Sequence, residues 1–136
     1  MAQVSTPMLT VATDRPIDKA ALTVACDVDF TDFEVNEMNI LGLRYELECR
    51  VVDRDVLDDE PVASFSPIAL PRIPGNATAH DHILFSELDV MSELHGPRLL
   101  GKDRLIAEVT LRNQETGEEK TAKSEMIPVD LTSQAH

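Results

Sequence analysis

Residues 41–51, with the sequence LGLRYELECRV, carry the pattern that decides the fold. Apolar side chains occupy alternate positions of this stretch, namely Leu41, Leu43, Tyr45, Leu47, Cys49 and Val51. Charged side chains occupy most of the positions between them. A period of two places the apolar set on one face of a β-strand and the charged set on the other face. The stretch therefore predicts a strand with one buried face and one face in solvent.

A second alternation, in residues 22–30, places apolar side chains at Leu22, Val24, Cys26, Val28 and Phe30. The apolar pattern continues in the opposite phase at Phe33 and Val35, which predicts a β-bulge or a strand break near Thr31. Residues 36–39, with the sequence NEMN, are of the types that form turns. The two alternating runs are therefore predicted to fold back on each other as an antiparallel pair.

Further strands are predicted on the carboxyl-terminal side of this pair. Residues 62–70 are apolar but contain and adjoin prolines, which favours an edge strand, and residues 71–76 (PRIPGN) break the chain. A short apolar strand is predicted at residues 83–85. Residues 105–111 alternate again, and after an Asn/Gly turn the chain is predicted to return as a hairpin over residues 118–131.

One short helix is predicted near residues 87–95. The sequence SELD at residues 86–89 resembles a capping box, and Gly96-Pro97 is a typical stop signal.

Short strands joined by turns, with a single helix, predict an all-β fold: an antiparallel two-sheet β-sandwich of six to eight strands, immunoglobulin-like or similar. A small barrel is the alternative. A chain of 136 residues corresponds to one domain. We therefore expect a single domain over residues 1–136, with residues 1–20 and 132–136 partly flexible.

The charge excludes several classes of partner. The chain has 25 acidic and 12 basic residues, which gives a net charge of −13. Nucleic-acid binding depends on Lys and Arg, and anionic membranes repel a chain of this sign. No targeting segment and no apolar run of membrane-spanning length is visible, so a cytoplasmic location is expected.

The two cysteines, Cys26 and Cys49, lie directly opposite each other in the predicted hairpin. Three interpretations follow: two buried thiols that only pack, a cross-strand disulfide, or a catalytic or metal-binding pair. Packing is the favoured interpretation, because a protein that is not exported normally keeps its thiols reduced.

Two groups of residues are candidate metal ligands. Asp53, Asp55, Asp58 and Asp59 supply the hard oxygen ligands that calcium prefers, although they fail the EF-hand pattern. His80 and His82 lie on one face if their segment is extended, as a zinc site would require. The alternatives are a solvated acidic turn and a polar loop before a strand. No other cofactor is predicted.

No known catalytic motif is present, and with 25 carboxylates no acid–base pair can be selected. The favoured function is therefore a non-catalytic binding or accessory module that recognises a protein or a small ligand. An acidic surface would favour a basic partner. The alternatives are a calcium- or zinc-binding domain and a carboxylate-dependent enzyme.

Overall fold

The computed structural model describes residues 2–14, 19–54, 59–87 and 103–129. These ranges contain one helix, α1 (Asp32–Leu41), and ten strands. In chain order the strands are β1 (Gln3–Val4), β2 (Met8–Asp14), β3 (Lys19–Asp29), β4 (Tyr45–Arg54), β5 (Asp59–Ser64), β6 (Ile68–Leu70), β7 (His80–Glu87), β8 (Asp103–Asn113), β9 (Glu119–Lys123) and β10 (Ile127–Val129). They form two antiparallel sheets, which confirms the predicted all-β two-sheet fold.

Sheet A is built around β3, which has neighbours on both sides. β1 and β2 follow one another along one side of β3, and β7 pairs with the other side. Ala25, for example, is the partner of Met8 in β2 and of Leu84 in β7. Sheet A therefore has three strand positions, although it contains four strands.

Sheet B is built around the pair β4 and β8, which match over nine consecutive residues. β5 and β6 lie along the outer side of β4, and β9 and β10 lie along the outer side of β8. Sheet B therefore has four strand positions. With the three of sheet A the described chain has seven strand positions, but they are occupied by ten strands, which is more than the predicted six to eight.

The alternating apolar residues of both sheets meet in one core. Leu22, Val24 and Val28 of β3 and Leu47 and Val51 of β4 have no exposed surface. Two pairs of tilted aromatic rings connect the sheets: Phe30 with Tyr45, at 4.9 Å between ring centres, and Phe65 with Phe85, at 5.5 Å. Burial of such apolar surface contributes roughly 25 cal/mol per Å² and is the main stabilising term of the sandwich.

The predicted pairing of residues 22–30 with residues 41–51 is wrong. β3 belongs to sheet A and β4 to sheet B, and the predicted turn lies inside α1. The predicted interruption near Thr31 is confirmed, since β3 ends at Asp29. The cause is a capping box: the Thr31 hydroxyl accepts the Glu34 N–H, and the Glu34 carboxylate accepts the Thr31 N–H. Gly42, with φ of 77°, ends the helix in the left-handed region.

The helix predicted near residues 87–95 is not where the described helix lies. Glu87 is the last residue of β7, and residues 88–95 lie outside the described ranges. A different capping box, formed by Thr31 and Glu34, begins α1, in a region where the sequence analysis predicted a turn. Within the described residues, no helix is long and apolar enough to cross a membrane.

The other strand predictions agree with the structure in outline. The predicted edge strand at residues 62–70 is divided into β5 and β6, which both lie at the edge of sheet B. β8 and β9 form the predicted hairpin, and the returning segment continues as β10. Of the termini expected to be partly flexible, residues 3–4 and 8–14 form β1 and β2, and residues 132–136 lie outside the described ranges.

The cysteines do not face each other in a hairpin, because their strands lie in different sheets. Both are buried and free, as the packing interpretation expects. Burial, followed by the nearby charge of Asp27, raises the pKa of Cys26 to about 11. Burial, followed by Cys26, raises the pKa of Cys49 to about 12. Both thiols are therefore protonated at neutral pH and are poor nucleophiles.

Candidate functional site

Part of the outer face of sheet A is an uncharged surface, which we call the neutral face. Alternation buries the even-numbered residues of β3 in the core, so that its odd-numbered residues point outward. The corresponding residues of β2 and β7 continue this surface to either side. The neutral face consists of Met8, Thr10, Ala12, Ala21, Thr23, Ala25, Leu84 and Ser86.

An apolar row crosses the middle of the neutral face. Met8, Ala25 and Leu84 are register partners in the three strand positions. Met8 is 69% exposed and Leu84 is 57% exposed. In a chain of which 27% is charged, eight adjoining outward positions carry no ionisable group. Apolar surface of this kind gains free energy when a partner covers it.

A cluster of two histidines and two aspartates, the His–Asp cluster, borders the neutral face at one end. His82 is the register partner of Asp27, and His80 is the partner of Asp29. Asp27 Oδ1 lies 2.8 Å from His82 Nδ1 and 3.4 Å from His80 Nε2, and Asp29 Oδ1 lies 2.8 Å from His80 Nδ1. The hydrogen bond with Asp29, followed by the negative charges of Asp29 and Asp27, raises the pKa of His80.

His80 and His82 do lie on the same exposed face of an extended strand, as the zinc prediction required. However, no group of three or more His, Cys, Asp or Glu residues in the described ranges is arranged to hold a metal ion. The short distances in the His–Asp cluster are those of hydrogen bonds between imidazoles and carboxylates. The cluster is therefore a hydrogen-bonded group, and the zinc site stays a prediction.

Two of the four aspartates predicted to bind calcium, Asp53 and Asp59, lie in the described residues, in β4 and β5. Asp53 lies near the end of β4, and its Oδ1 accepts a 3.3 Å hydrogen bond from the Arg104 N–H. Asp59 begins β5 and is the register partner of Arg54. Asp55 and Asp58 lie outside the described ranges, so the calcium site also stays a prediction.

Among the carboxyl groups of the described residues, those of Glu34 and Glu108 have displaced pKa values, and both are lowered. Burial acts to raise the pKa of Glu34, but hydrogen bonds from Thr31 and Tyr45 outweigh it. Burial likewise acts to raise the pKa of Glu108, but Arg50 and Lys123 outweigh it. A general acid at neutral pH needs a raised carboxyl pKa, so neither group supports the carboxylate-enzyme alternative.

The outer face of sheet B is charged at most positions, and we call it the charged face. It consists of Glu46, Glu48, Arg50, Glu108, Thr110, Arg112, Glu119, Thr121 and Lys123. Arg112 pairs with Glu46, Glu48 and Glu119, and Glu108 pairs with Arg50 and Lys123. A cavity of about 400 Å³ lies over this face. A ligand bound there would have to compete with these ion pairs.

A smaller pocket of about 190 Å³, the corner pocket, lies where the edges of the two sheets meet. Its floor is formed by Phe30, Met38 and Leu70, which are all less than 9% exposed. Its rim includes Arg72 and Asp81, whose side chains are 3.7 Å apart. Sequence reasoning missed both this pocket and the neutral face, because each depends on which strands are neighbours.

Comparisons with known proteins do not assign the chain to a family. No protein-family model matches the chain, and no curated protein matches it. Among solved structures, a Bordetella pertussis protein provisionally named ApaA has a TM-score of 0.43 and 7% identity, with 98% of this chain and 95% of that chain covered. An X-ray structure from the Northeast Structural Genomics Consortium has a TM-score of 0.41 and 9% identity, with 99% and 90% covered. The function therefore has to be argued from the residues of this chain.

Proposed function

We propose that this chain is a non-catalytic binding module, an acidic cytoplasmic domain of immunoglobulin-like architecture, that contacts a basic protein partner through its neutral face. Two antiparallel sheets of three and four strand positions are typical of that architecture. The observation that carries the proposal is the apolar row of exposed Met8, half-buried Ala25 and exposed Leu84, which lies in a surface without ionisable groups.

The shape of the surface favours a protein over a small ligand. Small ligands bind in concave pockets, whereas the neutral face is part of the outer surface of a three-position sheet. Interfaces between proteins typically have an apolar centre and a polar rim. The row of Met8, Ala25 and Leu84 would supply the centre, and the His–Asp cluster would supply part of the rim.

The charge of the chain indicates the kind of partner. A net charge of −13 attracts a basic protein over long distances and repels an acidic one. Asp27 and Asp29, at the end of the neutral face, can accept Lys or Arg side chains of the partner. The partner is therefore expected to have an apolar patch with basic residues beside it.

The test compares one substitution on each sheet. Ala25→Arg places a long cation in the centre of the neutral face, and Thr110→Arg places the same side chain in the centre of the charged face. Each immobilised variant and the wild type are exposed to extract of the source cells, and the retained proteins are quantified by mass spectrometry at low and moderate salt.

We expect a basic protein that the wild type and Thr110→Arg retain, that Ala25→Arg retains at least about tenfold less, and that moderate salt weakens. If all three proteins retain the same set in the same amounts, the neutral face is not the contact surface. Thermal melting of each variant establishes that both substitutions leave the fold intact.

A further inference from the structure

β7 is an edge strand of sheet A. On the side away from β3, its backbone N–H and C=O groups have no partner strand among the described residues. Among the described residues, β7 pairs with β3 alone, over eight consecutive residues. Phe30 N–H donates to Ala79 O at 2.8 Å, and Ser5 N–H donates to Asp27 O at 2.8 Å. Even-numbered residues of β3 therefore bond toward β7, and odd-numbered residues bond toward β1 and β2.

The same alternation applies to β7 itself. Asp81, Ile83 and Phe85 are partners of even-numbered β3 residues, so their N–H and C=O groups bond back to β3. The N–H and C=O groups of the four residues between and beside them point away from β3. These residues are His80, His82, Leu84 and Ser86.

Of the features that normally prevent an edge strand from pairing with another chain, β7 has one, the inward-pointing charge of Asp81. Such strands are commonly protected by Pro, by Lys or by a bulge. β5 contains Pro61 and a register shift opposite Val51 and Val52, and β9 contains Lys120 and Lys123. β7, with the sequence HDHILFSE, has neither Pro nor Lys, and its register with β3 is uninterrupted.

β2, on the opposite side of sheet A, also has an uninterrupted register with β3. β7 differs from β2 because the corner pocket lies beside it. Asp81 belongs to the inward-facing set of β7 and lines the pocket, as do Phe30 after β3 and Leu70 of β6. A strand added to β7 would direct alternate side chains inward, toward the same side as Asp81. An apolar cavity of about 150 Å³ accommodates benzene, so a volume of 190 Å³ has room for one apolar side chain.

We propose that β7 binds an extended basic peptide segment as an additional strand of sheet A, with one apolar side chain of the peptide in the corner pocket. Main-chain hydrogen bonds to His82, Leu84 and Ser86 and to the N–H group of His80 would supply affinity, and the pocket would supply specificity. The His80 C=O group already accepts a 2.9 Å hydrogen bond from Thr78 Oγ1.

Basic residues are favoured by the net charge of −13. The nearest carboxylates on the outer face, Asp27 and Asp29, lie one strand further in, on β3, and are hydrogen-bonded to His82 and His80. This site uses the edge of sheet A and does not depend on the neutral face.

The probe is the capped peptide TKTKLKTK at physiological ionic strength, with binding measured by isothermal titration calorimetry. When its leucine lies opposite Asp81, its lysines lie opposite His80 and His82, and their N–H groups point at β7. One matched peptide carries N-methyl groups on the two lysines that flank the leucine, and another carries them on the two central threonines. A third peptide has threonine in place of leucine.

We expect the lysine-methylated peptide and the threonine-for-leucine peptide to bind at least about tenfold more weakly than the parent peptide, and the threonine-methylated peptide to bind like the parent. Absence of measurable binding of the parent peptide at millimolar concentration would overturn the proposal. Equal binding of all four peptides would also overturn it, because simple charge attraction would then explain the signal.

Two pairs of variants place the peptide on the protein. His82→Pro removes an outward N–H, whereas His82→Ala keeps it, and only the first should lose peptide binding. Ala77→Leu adds carbon atoms to the wall of the corner pocket, and Ala69→Leu makes the same change at an exposed position of β6. We expect Ala77→Leu alone to weaken binding about tenfold.

Ala25→Arg separates this proposal from the proposed function, since it changes the neutral face and leaves the β7 backbone in place. Peptide binding should survive that substitution. If Ala25→Arg loses the partner but keeps peptide binding, the partner binds the neutral face and the peptide binds elsewhere. If both His82→Ala and His82→Pro lose peptide binding, the edge site is contradicted.

Discussion

The outer faces of the two sheets have opposite chemistry in the same molecule. On the charged face, seven of the nine outward residues are ionisable, and each of these seven is in an ion pair with another of them. On the neutral face, all eight outward residues are uncharged, and Met8 and Leu84 are more than half exposed. Both faces have the same alternating strand geometry, so the difference lies in the side chains and not in the backbone.

This difference indicates which face is available to a partner. The charged groups of sheet B satisfy one another, and a partner would have to break ion pairs before it gained contacts. Within the described parts of the chain, the apolar row of sheet A makes no ion pairs, and Met8 and Leu84 are more than half exposed. A partner that covers the neutral face therefore gains hydrophobic free energy without displacing ion pairs.

Of the substitutions that test this difference between the faces, Glu108→Gln on the charged face is expected to change the free energy of unfolding most. The Glu108 side chain is 12% exposed and lies 2.7 Å from Arg50 Nε and 3.3 Å from Lys123 Nζ. Loss of its charge should lower the free energy of unfolding at pH 7 by about 1 kcal/mol. Urea denaturation measures this change.

The pH dependence of Glu108→Gln follows from the lowered pKa of Glu108. A carboxyl group whose pKa is lower in the folded state stabilises the fold above its ordinary value of 4.5 and loses this contribution as the pH falls through the folded pKa. The variant should therefore lose less stability than the wild type on acidification. Glu115→Gln, in the exposed β8–β9 turn, is the control. Equal effects of the two substitutions would show that the ion pairs of the charged face contribute nothing specific.

His80→Gln, beside the neutral face, is expected to change the stability less than Glu108→Gln and with the opposite dependence on pH. The pKa of His80 is raised, so its interaction with Asp29 stabilises the fold fully below 6.5 and is lost as the pH rises through the folded pKa. The variant should lack this alkaline loss. NMR titration of the imidazole should show the raised pKa in the wild type and a lower one in Asp29→Asn. An unchanged His80 titration in Asp29→Asn would contradict the assigned cause.

The sequence predicts where the strands of this fold lie better than it predicts which strands pair with each other. The period-two patterns of residues 22–30 and 45–51 identify β3 and β4, because alternation reports which side chains are buried. The prediction is wrong at Leu41, which ends α1 and is 76% exposed. Alternation does not report which strand lies beside which, and the two strands were wrongly paired. The capping box at Thr31 and Glu34 is a signal in the sequence that indicates α1, and the sequence analysis did not use it.

The candidate surfaces could be predicted only in part. His80 and His82 were identified as neighbours on one exposed face, but their partners Asp27 and Asp29 are more than fifty residues away in sequence. The uncharged residues of β2, β3 and β7 are unremarkable when taken one strand at a time. They become one surface only when the register places Met8, Ala25 and Leu84 in a row.

The most direct test of the neutral face is oxidative footprinting of methionines with and without the retained partner. Met8 lies in the apolar row and is 69% exposed, whereas Met126, between β9 and β10, is 43% exposed and serves as the internal control. Exposed methionines oxidise readily to the sulfoxide, and burial in an interface slows this reaction. We predict that the partner protects Met8 and leaves the oxidation rate of Met126 unchanged. Oxidation of Met8 at the same rate in the free chain and in the complex would contradict the neutral face as the contact surface.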